Sequence, residues 1–160
     1  MTTTTMRLTA EPGTPLVSFE REVAAPRALV YRAYTEPELL AQWLGPRRLT
    51  MRVEEYDVRH GGAWRYVHVD TNGTEYGFHG VFHGTPSADR MTQTFEFEGA
   101  PGHVSLDTCE LVDLGARTLI RVTSVHQSVE ARDAMIANGM EGGVTQGFER
   151  LDELVSRLQA

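Results

Sequence analysis

The chain has one cysteine, Cys109, and no lysine among its 160 residues. A single thiol excludes an internal disulfide and a cysteine-built zinc site, as suits a reducing compartment. All fifteen basic residues are arginine, so the lysine of a phosphate-binding loop is missing. We read that bias as GC-rich coding, since no single chemistry forbids lysine everywhere. Long apolar runs are missing too. No window approaches the ~18 apolar residues of a membrane span, and the opening MTTTTMRLTAEPGTP holds no stretch that could act as a signal peptide. The expectation is a cytoplasmic protein without membrane insertion. Basic charge is outnumbered, 15 residues against 22 acidic ones for a net charge of −7. That balance argues against nucleic acid or anionic lipid as the main partner.

What is present is the composition of an ordinary soluble domain, 41% hydrophobic and 23% charged. The length predicts a single domain over residues 16–160. Residues 1–15, rich in Thr, Pro and Gly, are expected to be a disordered tail. From Leu16, LVSFEREV alternates apolar and polar residues as a strand does. Pro26 then suits a helix start, followed by Leu29, Val30, Ala33 and Tyr34 at helical spacing. Thr35-Glu-Pro-Glu38 offers a capping box for a second short helix through Leu39, Leu40 and Trp43, stopped by Gly45-Pro46. Strands are expected near 50–57, 63–70, 75–84, 90–97, 103–112 and 117–125, separated by Gly-, Pro- and Asn-rich turns. Residues 129–158 return to helical spacing, with Ile136, Met140, Val144, Phe148, Leu151, Val155 and Leu158 on one stripe.

One register can be argued from the residues alone. A two-residue Asn72-Gly73 loop would set Trp64, Tyr66 and His68 on the face of Gly77, His79 and Val81. A three-residue loop with a left-handed Gly73 pairs them instead with Tyr76, Phe78, Gly80 and Phe82. The second register gathers the aromatics on one face, and a one-residue slip would scatter them. Phe95, Phe97, Val104, Leu106, Ile120 and Val122 are expected to continue that face. Arg65, Val67, Val69 and Val81 then point outward, where a second subunit of a homodimer or simple strand propensity accounts for three valines.

The segments PRALVYRAYTEPELLAQWLGP (26–46), HGGAWRYV (60–67), GFHGVF (77–82), TFEFEGAPGH (94–103) and GMEGGVTQGFERLDEL (139–154) resemble the SRPBCC superfamily. Within it they are most similar to the family named for the activator of the ninety-kilodalton heat-shock chaperone's ATPase. The resemblance spans about residues 16–158. It implies an α+β helix-grip fold, a curled antiparallel sheet wrapped around a long C-terminal helix, with two short helices after the first strand. Many relatives carry tryptophan where this chain has Val144, among Gly139, Gly142, Gly143 and Gly147. Those glycines read as a helix start at Gly139 with close packing at the rest. A break near Gly139, or an opening over the cavity, is the alternative.

Catalytic chemistry is thinly represented. His79 and His83 lie four apart on a strand, about 13 Å, too far for one metal ion. Asp107, Glu110, Glu54 and Glu55 read as solvated edges, Cys109 as a buried inert thiol. There is no nucleophile elbow and no nucleotide loop. No metal or cofactor is expected. The aromatic set is the strongest signal, since a curled sheet under one helix tends to enclose an apolar cavity. The leading expectation is therefore binding of a small hydrophobic or amphipathic molecule. The expected contacts are Trp43, Trp64, Tyr66, His68, Phe78, Phe82, Phe95, Phe97, Met140, Val144 and Phe148. A cyclase- or aromatase-like enzyme in the same cavity is the alternative, with His68, Tyr66 and Tyr76 as its donors and acceptors. A chaperone-activating role is the third reading. Relatives with that role carry a separate N-terminal domain, where here a short Thr-rich tail precedes Leu16.

Overall fold

The computed structural model describes residues 5–160. Eight strands form one antiparallel sheet: β1 (Arg7–Thr9), β2 (Leu16–Val23), β3 (Thr50–Tyr56), β4 (Ala63–Val69), β5 (Glu75–Val81), β6 (Arg90–Phe97), β7 (Val104–Asp113) and β8 (Thr118–Val125). Their spatial order is β1-β2-β8-β7-β6-β5-β4-β3. From β3 to β8 the chain is thus a meander, and β2 returns along β8. Two short helices, α1 (Arg27–Thr35) and α2 (Pro37–Leu40), follow β2, and α3 (Val129–Ala137) and α4 (Met140–Gln159) close the chain. This is the helix-grip arrangement, with α4 lying in the curl of the sheet. Among the described residues no helix is long and apolar enough to cross a membrane.

The β4–β5 hairpin adopts the three-residue loop. Asp70 donates its N–H to Thr74 O, Gly73 is left-handed at φ 86°, and Trp64, Tyr66 and His68 pair with Gly80, Phe78 and Tyr76. The sheet bends sharply between β5 and β6. Their ladder stops after Phe78 opposite Phe97 and His79 opposite Glu96, and resumes as a single bridge between Phe82 and Gln93. Between the two, the Thr94 hydroxyl accepts the Val81 N–H, and a Cβ at Gly80 would overlap the Thr94 carbonyl. Glycine at 80 lets the two strands converge there.

Four expectations are corrected. The tail expected over residues 1–15 contains β1, which sets Arg7 opposite Glu20 and Thr9 opposite Ser18 on the free edge of β2. Buried Arg132 fixes the return, donating to the carbonyls of Glu11 and Leu16 at 2.8 and 3.0 Å; residues 1–4 lie outside the described residues. The capping box does not form, because Thr35 still belongs to α1 and donates its hydroxyl to Tyr31 O at 2.8 Å. Glu36 caps α2 through its backbone, with Pro37 in the first turn. The helical spacing over 129–158 belongs to two helices instead of one, the second starting after Gly139 at φ 88°, as the glycines themselves imply. Leu158, at the end of the expected stripe, is 41% exposed, and Leu154 is buried instead.

The outer face supplies the fourth correction. Val67 is only 2% exposed, covered by its own chain. Around it runs a ladder of ion pairs in which Arg52 meets Glu54 and Glu75, Arg65 meets Glu54 and Glu98, and His79 meets Glu98 and Glu96. Val67 therefore gives no argument for a second subunit on this face, while Val69 and Val81 stay partly exposed.

The core is divided. One cluster packs α4 and α1 on β2, β7 and β8 through Val23, Ala33, Ile120, Phe148 and Leu151, and the other centres on Trp64, Tyr66 and Phe82. Leu44, Met51 and Tyr56 pack against both, and arginines hold α4 to β2 and to the segment after α2. Arg21 of β2 reaches Asp152 with both nitrogens, Arg47 pairs with Glu153, and Arg150 donates to Gly45 O and Pro46 O.

Candidate functional site

Between the concave face of the sheet and α4 lies a cavity of about 380 Å³. Its aromatic wall comes from alternate residues of β4, β5 and β6: Tyr66, His68, Phe78 and Phe95. The stacking along that wall is continuous, with Tyr66–Phe78 ring centroids at 5.6 Å and Phe78–Phe95 at 5.4 Å. Met140, Gly143, Val144, Gly147 and Phe148 of α4 form the opposite side. Trp43 closes one end, stacked on Phe148 at 6.4 Å and held by its indole N–H on Ala33 O at 2.9 Å.

Eight of the eleven side chains expected from sequence line this space: Trp43, Tyr66, His68, Phe78, Phe95, Met140, Val144 and Phe148. The other three support the wall from behind or beside it. Trp64 is buried under Tyr66 and Phe95 at centroid distances of 5.0 and 6.0 Å, and Phe82 is buried against Tyr56. Phe97 stacks on Phe78 at 5.1 Å, at the end of the row rather than over the cavity.

His68 is 5% exposed, set edge-on between Tyr66 and Phe78, with no hydrogen-bond partner for Nδ1. Burial, reinforced by the Arg150 charge, pushes its pKa down to about 4. It is a neutral imidazole near pH 7. Gly45 packs so close that a Cβ there would lie 2.6 Å from His68 Cε1, and its φ of 99° is left-handed as well. Glycine at 45 satisfies both demands.

Facing the aromatic wall is a polar row that alternation along β7 does not reveal. The pattern predicts Asp107 at a solvated edge and Val104 and Leu106 inside; β7 has the opposite parity. Phe95 pairs with Ser105, Gln93 with Asp107, and Asp107 with Ser124, so these side chains share the concave face, and Leu106 is left 43% exposed. Ser105 and Ser124 donate their hydroxyls to Asp107 Oδ1 at 3.0 and 2.6 Å, and Ser124 Oγ lies 3.3 Å from His126 Nε2. Burial raises the Asp107 pKa against the opposing effect of both serines. The His126 pKa is lowered, by burial first and by the Arg132 charge second. The Cys109 thiol, also on the lining, is pushed up to about 12 by burial and is inert as a nucleophile near neutral pH. The donors and acceptors here are thus more numerous than His68, Tyr66 and Tyr76.

The model of the family described as activator of Hsp90 ATPase homolog 1-like protein matches residues 24–156. The chain belongs to that family. No curated protein matches it. Among solved structures, a protein from Rhodobacter sphaeroides is 24% identical with a TM-score of 0.87, covering 96% of this chain and 99% of its own. One from Chromobacterium violaceum is 26% identical with a TM-score of 0.78, covering 88% and 96%. CalU16 from Micromonospora echinospora is more distant, at 18% identity and a TM-score of 0.58 over 97% and 87%.

Within this family member the glycines of α4 divide by role. A Cβ at Gly147 would meet Gly45 N at 3.3 Å and Trp43 O at 3.5 Å, so this turn of the helix approaches the 43–45 backbone closely. Gly143 has only Pro46 Cδ within reach, at 3.8 Å, and Gly142 nothing within 4 Å. Val144 borders the cavity beside Phe148 and Met140. The signal that could have placed Asp107 was Leu111, which shares its parity and is 2% exposed.

Proposed function

We propose that the protein binds a small hydrophobic or amphipathic molecule in the cavity between the sheet and α4. One observation carries this reading: side chains leave about 380 Å³ unfilled within an otherwise packed core, between an aromatic wall and one polar row. Protein interiors are close-packed, and apolar side chains facing a void forfeit contact energy. A mostly apolar pocket with a few convergent polar groups is the usual form of a small-ligand site. Membership of the family agrees with such a role and leaves the ligand open. Mass spectrometry of the natively purified protein tests it, with a stoichiometric small molecule expected. A thermal-shift screen of lipids and aromatic compounds is expected to yield binders that raise Tm. No bound molecule, together with no shift from any compound, would refute the reading.

The hydrogen-bonded run Ser105–Asp107–Ser124–His126 favours a second reading, cyclase-like proton transfer on an apolar substrate held in the same cavity. A carboxyl of raised pKa near a neutral imidazole is a workable acid–base pair. Time-dependent conversion of the co-purifying molecule, or of its open-chain precursor, in the presence of protein checks it. A molecule recovered unchanged after prolonged incubation with the protein argues for binding alone.

A further inference from the structure

Asp107 is the one carboxylate facing the cavity, and among the described residues no cation faces it. The two imidazoles on the lining, His68 and His126, are both held towards their neutral forms by burial. Two guanidiniums lie nearby and are engaged elsewhere. Arg150 donates to Gly45 O and Pro46 O, and Arg132 to Glu11 O, Leu16 O and Asp133. Both serines that serve Asp107 donate to the same oxygen, Oδ1. Its Oδ2 accepts no hydrogen bond from the described residues. The amide of Gln93, the next residue along the row, and the Tyr66 hydroxyl across the cavity make none either. The charge of Asp107 nevertheless reaches Tyr66, adding to the burial that raises its phenol pKa.

Asp107 Oδ2, Gln93 and the Tyr66 hydroxyl thus present an acceptor-rich patch to the cavity, with no arginine on the lining among the described residues. We infer that the cavity selects an amphipathic molecule carrying an amine, its nitrogen seated against Asp107 Oδ2 and its apolar part against Phe78 and Phe95. This rests on the binding reading above. An ammonium has three N–H donors, and Asp107 Oδ2 and Gln93 Oε1, from residues directly opposite on β7 and β6, are acceptors that take no hydrogen bond from the described residues. The neighbouring ring faces also favour a cation. A ligand carboxylate would instead meet a buried like charge. Where Asp107 holds a proton before binding, an ammonium ligand reaches the ion pair by displacing that proton to solvent, so the amine preference is expected to grow as the pH rises.

The test uses three matched probes on the full chain, 4-phenylbutylamine, 4-phenylbutanol and 4-phenylbutyric acid. Binding is measured by calorimetry at about 0.15 M salt, where attraction from the net charge is screened. The amine is expected to bind at least about tenfold tighter than the alcohol, and the acid weakest. In Asp107→Asn the ratio of amine to alcohol affinity is expected to fall to within about threefold. Gln93→Glu, which sets a second carboxylate in the same row, is expected to widen the amine preference. An amine no tighter than the alcohol in the wild type overturns the inference while leaving cavity binding in place. So does an amine preference that survives Asp107→Asn. If none of the three binds, the inference fails, and cavity binding is decided by mass spectrometry and the thermal-shift screen. If Asp107→Asn does not fold, the wild-type order and Gln93→Glu decide.

Discussion

His68 shows how far burial changes the chemistry of a side chain. Its ring fills the space between Tyr66, Phe78 and Gly45, and Nδ1 has no partner. The unfolded chain titrates this imidazole near 6.5, the folded protein at about 4. Between those values the unfolded state binds a proton that the native state refuses, so stability falls as the pH is lowered from 6.5 to 4. Below 4 both states are protonated and the loss is complete, about 3 kcal/mol. Urea unfolding at stepped pH should show this decline in the wild type and a flatter profile in His68→Gln. A residual slope is expected from His126, whose pKa is also lowered by burial. Glu98 acts in a different window. The Arg65 hydrogen bond, with His79 second, lowers its pKa to about 2, so its contribution is present above 4.5 and lost as the pH falls from there towards 2. An unchanged profile between pH 6.5 and 4 in His68→Gln would show that the native protein protonates His68 at little cost.

At the scale of the element, glycine decides how closely backbones meet, and each position has its own sign. Gly142 lies in α4, and a methyl added there would have nothing within 4 Å, so Gly142→Ala should gain helix propensity without a clash. An increase of up to about 1 kcal/mol is expected from chemical denaturation. Gly80 is the opposite case. A methyl there would overlap the Thr94 carbonyl and press on Trp64, at the point where β5 and β6 converge. Gly80→Ala is expected to lose about 1–3 kcal/mol. Equal effects at the two positions would show that close approach does not govern β5–β6. The same contrast explains which strands could be read in advance. The β4–β5 register was legible because only one loop length gathers Trp64, Tyr66, His68 and Phe78 on a single face, and because Gly73 can be left-handed. The parity of β7 was not. Val104 and Leu106 look like its inner residues, yet Ser105, Asp107 and Cys109 face the cavity. A cavity lined by polar groups inverts the apolar-inside rule where those groups sit, so alternation misleads along β7. The β1 strand escaped notice for another reason. Three residues have no usable period, and their pairing depends on an edge of β2 that no local pattern reveals.

At the scale of the whole molecule, Leu44, Met51 and Tyr56 pack against both core clusters, while Val144 packs against the first and lines the cavity. It shares its stripe of α4 with Met140, Gly147 and Phe148, all on the cavity lining. Valine is small for that place, and the glycines beside it cannot make up the volume. Arg21–Asp152 ties α4 to β2, and Arg47–Glu153 and the Arg150 contacts to the 45–46 carbonyls tie it to the segment after α2. Enlarging residue 144 should set stability and binding against each other. In Val144→Trp an indole would reach towards Phe78 and Phe95, replace part of the void with contacts and shrink the room for a ligand. A gain of about 1 kcal/mol for the empty protein corresponds to a rise in Tm of roughly 2–4 °C at this size. Affinity for an apolar probe should fall in the same variant by about tenfold or more. Scanning calorimetry with and without the probe separates the two effects. Unchanged affinity would place the ligand away from α4, and a lowered Tm of the empty protein would mean that the helix cannot accept the larger side chain without being lifted from its arginine supports.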